Sequence, residues 1–353
     1  MATIDRRCDT TLSVRLRSND KSLDRLILRE PRSVHCSPSF EEFVEAMSGN
    51  ITVKVVFVGE LVVQTLEEDK LCTLLEKLGC LTALENLEIA LPHLGAKKRI
   101  TASSVVRFLG RAKALKTFVL WPFLRIDSGE DAKLIACVLK DHLNLQHLGF
   151  MHLVMSGGSR GIVIDPILRS LATVPKLETL QISAAFSMQE GRQAVREESS
   201  LTNLLMPSCA LKYFALRNLN LGDSHCTAIA NMLSKYGSVC SLKLLDLRFN
   251  SITEKGFTAL LATLQENYIL EWLETDCRNK NWLEKISFAL ALNRAGRFAL
   301  LRDPSTSRQE MMGVFEKCCD NLNVSYHLLR HNPSICDRGK DKVENGFTPA
   351  SQT

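Results

Sequence analysis

Leu242-Lys243-Leu244-Leu245-Asp246-Leu247-Arg248-Phe249-Asn250-Ser251-Ile252 is the stretch that decides how this chain folds. Leu245 and Leu247 alternate with Leu244, Asp246 and Arg248, the pattern of a short strand with one apolar face. Phe257, Leu260, Leu261 and Leu264 follow at the spacing of one helix face. So short a strand and a single helix cannot enclose a core alone, and the segment requires neighbours of its own kind.

Those neighbours are present. The same spacing of apolar residues recurs at Leu84/Leu87/Ile89, Leu115/Phe118/Leu120, Leu145/Leu148/Phe150, Leu177/Leu180/Ile182 and Leu211/Phe214/Leu216. Weaker copies lie at Leu23/Leu26/Leu28, Val53/Val56/Val58 and Leu270/Leu273. The units step by about 31 residues, and nine in near-constant register are not a chance run of leucines. Helical spacing follows several of them, as Leu71/Leu74/Leu75/Leu78, Val105/Val106/Leu109 and Leu134/Ile135/Val138/Leu139. Ser39-x-x-Glu42 and Ser128-x-x-Asp131 resemble capping boxes at helix starts.

From Leu242 to Leu264, and more loosely over about residues 20–290, the chain resembles the ribonuclease-inhibitor-like branch of the leucine-rich-repeat proteins. The resemblance implies an α/β solenoid, a horseshoe with a concave parallel β-sheet and convex α-helices. One departure stands out. The turn asparagine eight positions after the first leucine is Asn250 in one unit, but Pro92, Phe123, Leu153, Ala185 and Leu219 elsewhere. Apolar side chains cannot bond the turn backbone, so irregular turns are expected there.

The expected organisation is an N-terminal flank over 1–20, about nine repeats over 21–291, a helical cap over 292–336 and a disordered polar tail over 337–353. Leu292–Arg297 and Leu328–Ser334 resemble the C-terminal flank of uncharacterised algal leucine-rich-repeat proteins, which implies no activity. Two units carry loop insertions, Ser156–Gly161 and Ser183–Ser200; the first lacks the Gly-Lys-Ser/Thr of a phosphate-binding loop.

Composition narrows the function classes. Apolar residues make up 45% and charged residues 24%, with net charge +5 spread along the chain rather than gathered into a nucleic-acid-binding face. Met1–Thr10 lacks the apolar core of a signal peptide, and Ile51–Val63 is too short and too charged to span a bilayer. The expectation is a monomeric cytoplasmic protein, with the nucleus as alternative, that binds neither membrane nor nucleic acid. The 12 cysteines form no Cys-x-x-Cys pair, so reduced, buried thiols are expected, vicinal Cys318-Cys319 being the one oddity. The sequons at Asn50 and Asn323 carry no weight in such a compartment.

No His-Glu-x-x-His, Gly-x-Ser-x-Gly or Walker motif occurs, and no catalytic residue, cofactor or metal is expected. His142, His147 and His152, spaced by five, straddle a strand and a helix end and make no helical metal face. Function is expected on the outward strand positions instead. These place Phe57, Val119, Trp121, His147 and Met151 toward the N-terminal side, and Tyr213, Arg217, Asp246, Arg248, Phe249, Trp272, Glu274 and Asp276 toward the C-terminal side. Trp, Tyr and Arg are enriched where proteins bind each other. The candidate protein-binding set is therefore Trp121, His147, Met151, Tyr213, Arg217, Asp246, Arg248, Trp272, Glu274 and Asp276. Blander roles compete: Trp121 before Pro122 in an irregular turn, Trp272 against the cap, and Arg217/Asp246 and Arg248/Asp276 as cross-strand ion pairs.

The resulting expectation is a non-catalytic protein-binding scaffold. The alternative is an enzyme regulator, as in leucine-rich-repeat activators of a nuclear-transport GTPase. Those carry an acidic tail, whereas this tail holds Arg338, Lys340 and Lys342. Ribonuclease inhibition would need an acidic face, and +5 has the wrong sign.

Overall fold

The computed structural model describes residues 10–29, 40–90, 98–155, 163–185, 194–237 and 239–295, with isolated residues between 312 and 326. The chain divides into two compact units, Met1–Ile286 and Ser287–Thr353. In the first unit, strands β1 (Arg25–Leu28), β2 (Val55–Val58), β3 (Asn86–Ile89), β5 (Thr117–Leu120), β7 (His147–Met155), β8 (Thr179–Ala184), β9 (Tyr213–Arg217), β10 (Leu244–Asp246) and β11 (Trp272–Glu274) lie side by side in that order. Every pairing is parallel, and the residues two after each first leucine align: Arg25, Val55, Asn86, Thr117, His147, Thr179, Tyr213, Leu244 and Trp272. Helices alternate with these strands, among them Phe40–Ala46, Glu68–Leu78, Ala102–Arg111, Gly129–Leu139, Asp165–Leu171, Asp223–Lys235 and Glu254–Glu266. This is the α/β leucine-rich-repeat solenoid expected from the sequence.

The core lies between the two layers. Leu26, Val56, Leu87, Phe118, Leu148, Leu180, Phe214 and Leu245 are all buried, one per unit, as are Leu71, Leu74, Leu75 and Leu78 on the helix side. Phe118 stacks at 4.8 Å on Phe108 and meets Phe150 edge-on at 6.0 Å, so the aromatic layer runs through three units. Each such side chain contributes about 1.5–3 kcal/mol by leaving water. One helical residue is misplaced by the sequence pattern: Leu134 is exposed, because Ala132, Ile135, Ala136 and Leu139 form the inward face of that helix. The box at Ser128 forms in full, with the Asp131 N–H donating to Ser128 Oγ at 3.1 Å and the Ser128 N–H to Asp131 Oδ2 at 3.0 Å. Ser39 lies outside the described residues.

The irregularity expected from the missing asparagines is present at Leu153, where the β7–β8 register shifts between Phe150 and Leu153, but the turns are not uniformly irregular. Strands β4 (Arg99–Thr101) and β6 (Phe123–Ile126) pair with one another, and β6 also pairs with the second half of β7. Phe123 and Leu153, two of the apolar replacements, sit in this extra row, where neighbouring strands satisfy the backbone that an asparagine would otherwise serve. In the later units the asparagine does that work. Asn250 donates to the carbonyls of Leu216 and Leu247 at 2.7 and 2.8 Å and accepts the N–H groups of Leu219 and Leu221 at 3.0 and 3.1 Å.

Neighbouring units are joined by side chains as well. Just before the strands, Lys116 pairs with Glu85, Lys212 with Glu178 and Lys243 with Glu271, at 2.8, 2.9 and 2.9 Å. Such solvated pairs are worth roughly 0–1 kcal/mol each. At the helix starts, carboxylates reach into the following unit. Asp165 accepts the Arg196 and Glu197 N–H groups at 3.0 Å, and Asp223 accepts those of Thr253 and Gly256 at 2.8 and 3.1 Å. Among the described residues no helix is long and apolar enough to cross a membrane.

Candidate functional site

Alternation along each strand sends one set of side chains to the core and the other to the open face of the sheet. The C-terminal strands carry the most elaborate arrangement on that face. Asp246, the last residue of β10, has no exposed surface, yet it belongs to the open side and its neighbour in β9 is Ala215. What covers it is a pair of arginines. Arg217 donates from Nε to Asp246 Oδ2 at 2.6 Å, and Arg248 donates from Nε and Nη2 to the same carboxylate at 3.1 and 2.7 Å. The Arg217 Nη2 also reaches the Tyr213 hydroxyl at 3.4 Å. Burial pushes the Asp246 carboxyl upward, but hydrogen bonds from Arg248 and Arg217 outweigh it and hold the group below the usual carboxylate range. The carboxylate in turn keeps Arg248 firmly protonated.

Of the two ion pairs expected from the sequence, Arg217/Asp246 forms. Arg248/Asp276 is replaced: Arg248 folds onto Asp246 of its own strand, where a buried charge has most to gain from it. Asp276 instead accepts the backbone N–H of Phe249. That contact matters because Phe249 has φ +62°, a left-handed conformation uncommon for bulky residues, while 63% of its surface is exposed. Trp272 is 42% exposed at the start of β11, beside half-buried Leu244 and, one strand further, half-buried Tyr213. Glu274 is exposed opposite Asp246.

The N-terminal candidates divide differently. Trp121 is half-buried after β5, its indole N–H donating to Glu88 at 3.2 Å and its carbonyl accepting from His152 at 2.8 Å. His147 shares a hydrogen bond of 3.0 Å with Thr179 across β7 and β8. Met151 is a correction: only 6% exposed, it adds almost no open surface. Its sulfur lies beside Gly149, and a residue without a side chain on an outward position lets its neighbours close over the gap.

The three spaced histidines do not converge. His147 and His152 have the partners just named, and His142 is fully buried with Nε2 at 2.8 Å from the Leu109 carbonyl. Among the described residues no three His, Cys, Asp or Glu side chains are grouped as metal ligands. The described cysteines are free thiols, Cys209, Cys226, Cys240 and Cys277 buried and Cys137 exposed; burial pushes the Cys226 thiol up to about 12, which leaves it unreactive. Cys318 and Cys319 lie outside the described residues.

Reasoning from the sequence named every residue of the Asp246 cluster but not its geometry, nor the strained Phe249 backbone. No family model matches the chain, and no curated protein resembles it closely enough to be counted a relative. Among solved structures it is similar to an internalin from Listeria monocytogenes, at 14% identity and TM-score 0.39 over 68% of this chain and 60% of that one. It is also similar to the protein of a TLR13–ssRNA13 complex, at 11% identity and TM-score 0.27 over 66% of this chain and 34% of that one. The chain thus spans less than two thirds of either, and neither likeness adds to what the strand register already shows.

Proposed function

We propose that this chain is a non-catalytic scaffold that binds a protein partner on the open face of its sheet, centred on β9, β10 and β11. The observation that carries this reading is Phe249, an exposed aromatic held in a disfavoured backbone conformation by Asp276. Strain of this kind persists where the surroundings over-determine it, and it gathers at binding sites. Exposed Trp272 supplies a second apolar anchor, and the Asp246 clamp holds two arginines in place between them. Rigid aromatic and arginine side chains lose little entropy on docking. Tyr213, Arg217, Asp246, Arg248, Trp272, Glu274 and Asp276 form this site, with His147 toward its edge; Trp121, tied to Glu88, lies outside it.

Quantitative affinity capture tests the reading with wild type, a Phe249→Ala/Trp272→Ala double variant and Trp121→Ala as control. Loss of specific partners in the double variant alone is the expected result. Identical partner lists from all three proteins would remove this face from consideration.

A further inference from the structure

We propose that the Arg217–Asp246–Arg248 cluster recognises a carboxylate of the protein partner, an Asp or Glu side chain flanked by an apolar residue. This rests on the docking role of the open face and names the chemistry that role requires. Two guanidiniums against one carboxylate leave the cluster with a surplus positive charge. Both arginines spend their Nε and Nη2 edges on Asp246, and no hydrogen bond within the protein occupies either Nη1 among the described residues. A guanidinium pinned along one edge is pre-oriented along the rest, so an incoming carboxylate meets donors already in position.

The surroundings select the approach. Glu274 faces Asp246 across β10 and β11 and tempers Arg248 through space, without a hydrogen bond to either arginine among the described residues. Asp276 is occupied with the Phe249 N–H. Among the described residues the Arg217 side, bordered by Ser183 in register on β8, has no such carboxylate across from it. A partner carboxylate therefore seats on the Arg217 side. Phe249, adjacent in sequence to Arg248 and exposed, offers an apolar contact for the flanking residue. An acidic residue beside an apolar one in a protein segment fits both features; a nucleic-acid backbone supplies the charge but not the apolar neighbour.

The experiment selects short random peptides from a display library on the full chain and measures the recovered peptides by fluorescence anisotropy. Enrichment of Asp or Glu next to an apolar residue is expected. Changing that acid to its amide should weaken binding of the wild-type protein by about tenfold or more, as should Arg217→Gln. The peptide change leaves the protein untouched, so the result stands even if Arg217→Gln is unstable. Peptides without an acid that still lose affinity to Phe249→Ala/Trp272→Ala would overturn the carboxylate assignment and leave the docking face intact. Acid-dependent binding that ignores Arg217→Gln in a folded variant would overturn it too. Tighter binding of a single-stranded RNA than of any peptide, through Arg217, would replace the protein partner. No enrichment at all would sink both the assignment and the docking role.

Discussion

Asn50 donates from Nδ2 to the carbonyl of Leu16 at 2.7 Å, closing the C-terminal end of the helix Thr10–Arg17 from one unit downstream. The same side chain accepts the N–H groups of Thr52 and Val53 at 3.0 Å. Asn267 repeats the arrangement on Leu233, Ile269 and Leu270, and His142 repeats its first half on Leu109. In each case the residue stands three before the first apolar position of its unit. Helix ends leave carbonyls unsatisfied, and a buried one must be met from elsewhere.

Asn267→Ala therefore removes a buried donor and acceptor together. The expected loss is about 1–3 kcal/mol, read from the urea midpoint at unchanged slope. A loss no larger than that of an exposed-surface substitution would show that water replaces the amide.

His142 brings a pH dependence that the asparagines do not. Burial, opposed by the Leu109 hydrogen bond, lowers its pKa below the ordinary 6.5, with Lys113 adding to the lowering and Asp141 opposing it. The native state holds the neutral ring while the unfolded chain takes up a proton near 6.5, so stability is full above that pH and falls as pH drops toward the lowered native pKa. His142→Asn should keep the Leu109 bond and abolish this one-proton slope in denaturation measured between pH 7 and 5. A slope unchanged in the variant would assign the effect to another group.

Asn250→Leu places at this turn the residue found at the equivalent position of two other units. Those positions either pair in β7, as Leu153 does, or lean on the next unit's asparagine, as Leu219 does; residue 250 itself makes the bonds. A loss of about 2–4 kcal/mol is expected from several unmet backbone groups. Hydrogen exchange should quicken at the Leu219 and Leu221 amides and stay slow in β6 and β7.

Asp246→Ala leaves two arginines crowded over a void where their counter-charge was. Breaking a buried pair from one side costs about 3–5 kcal/mol, reduced toward the lower figure by the partial exposure of both arginines. Because the native carboxyl pKa is lowered, its contribution is complete above the unfolded value near 3.9 and vanishes as pH falls through the native one. Thermal unfolding of wild type and variant should therefore converge in acid.

Phe249→Asn tests whether strain is being held for binding. Asparagine tolerates the left-handed region, as Asn218 at φ +58° and Asn220 at φ +54° show in the preceding turn. The variant should gain about 0.5–1 kcal/mol in stability while weakening partner binding. A variant that is both less stable and equally competent would assign Phe249 a packing role.

The repeat, its parallel strands and its apolar core were legible because alternation and helical spacing are local properties of the chain, printed once per unit. Leu245 and Leu247 announce a buried face wherever they occur. The outward residues were legible as a set for the same reason, which is how Tyr213, Arg217 and Asp246 were found together. Their states were not. That Met151 is covered beside Gly149 and that Arg248 turns to Asp246 rather than Asp276 are choices among contacts that strand alternation does not rank, while the Arg217 bond to Asp246 and the Asp276 bond to the Phe249 N–H come from groups about one repeat away. The last two were settled by the neighbouring unit, as were the Asn50, Asp223 and Asn250 bonds. The pattern within a unit determines which way each side chain points, whereas a partner in the next unit exists only once the stack has formed.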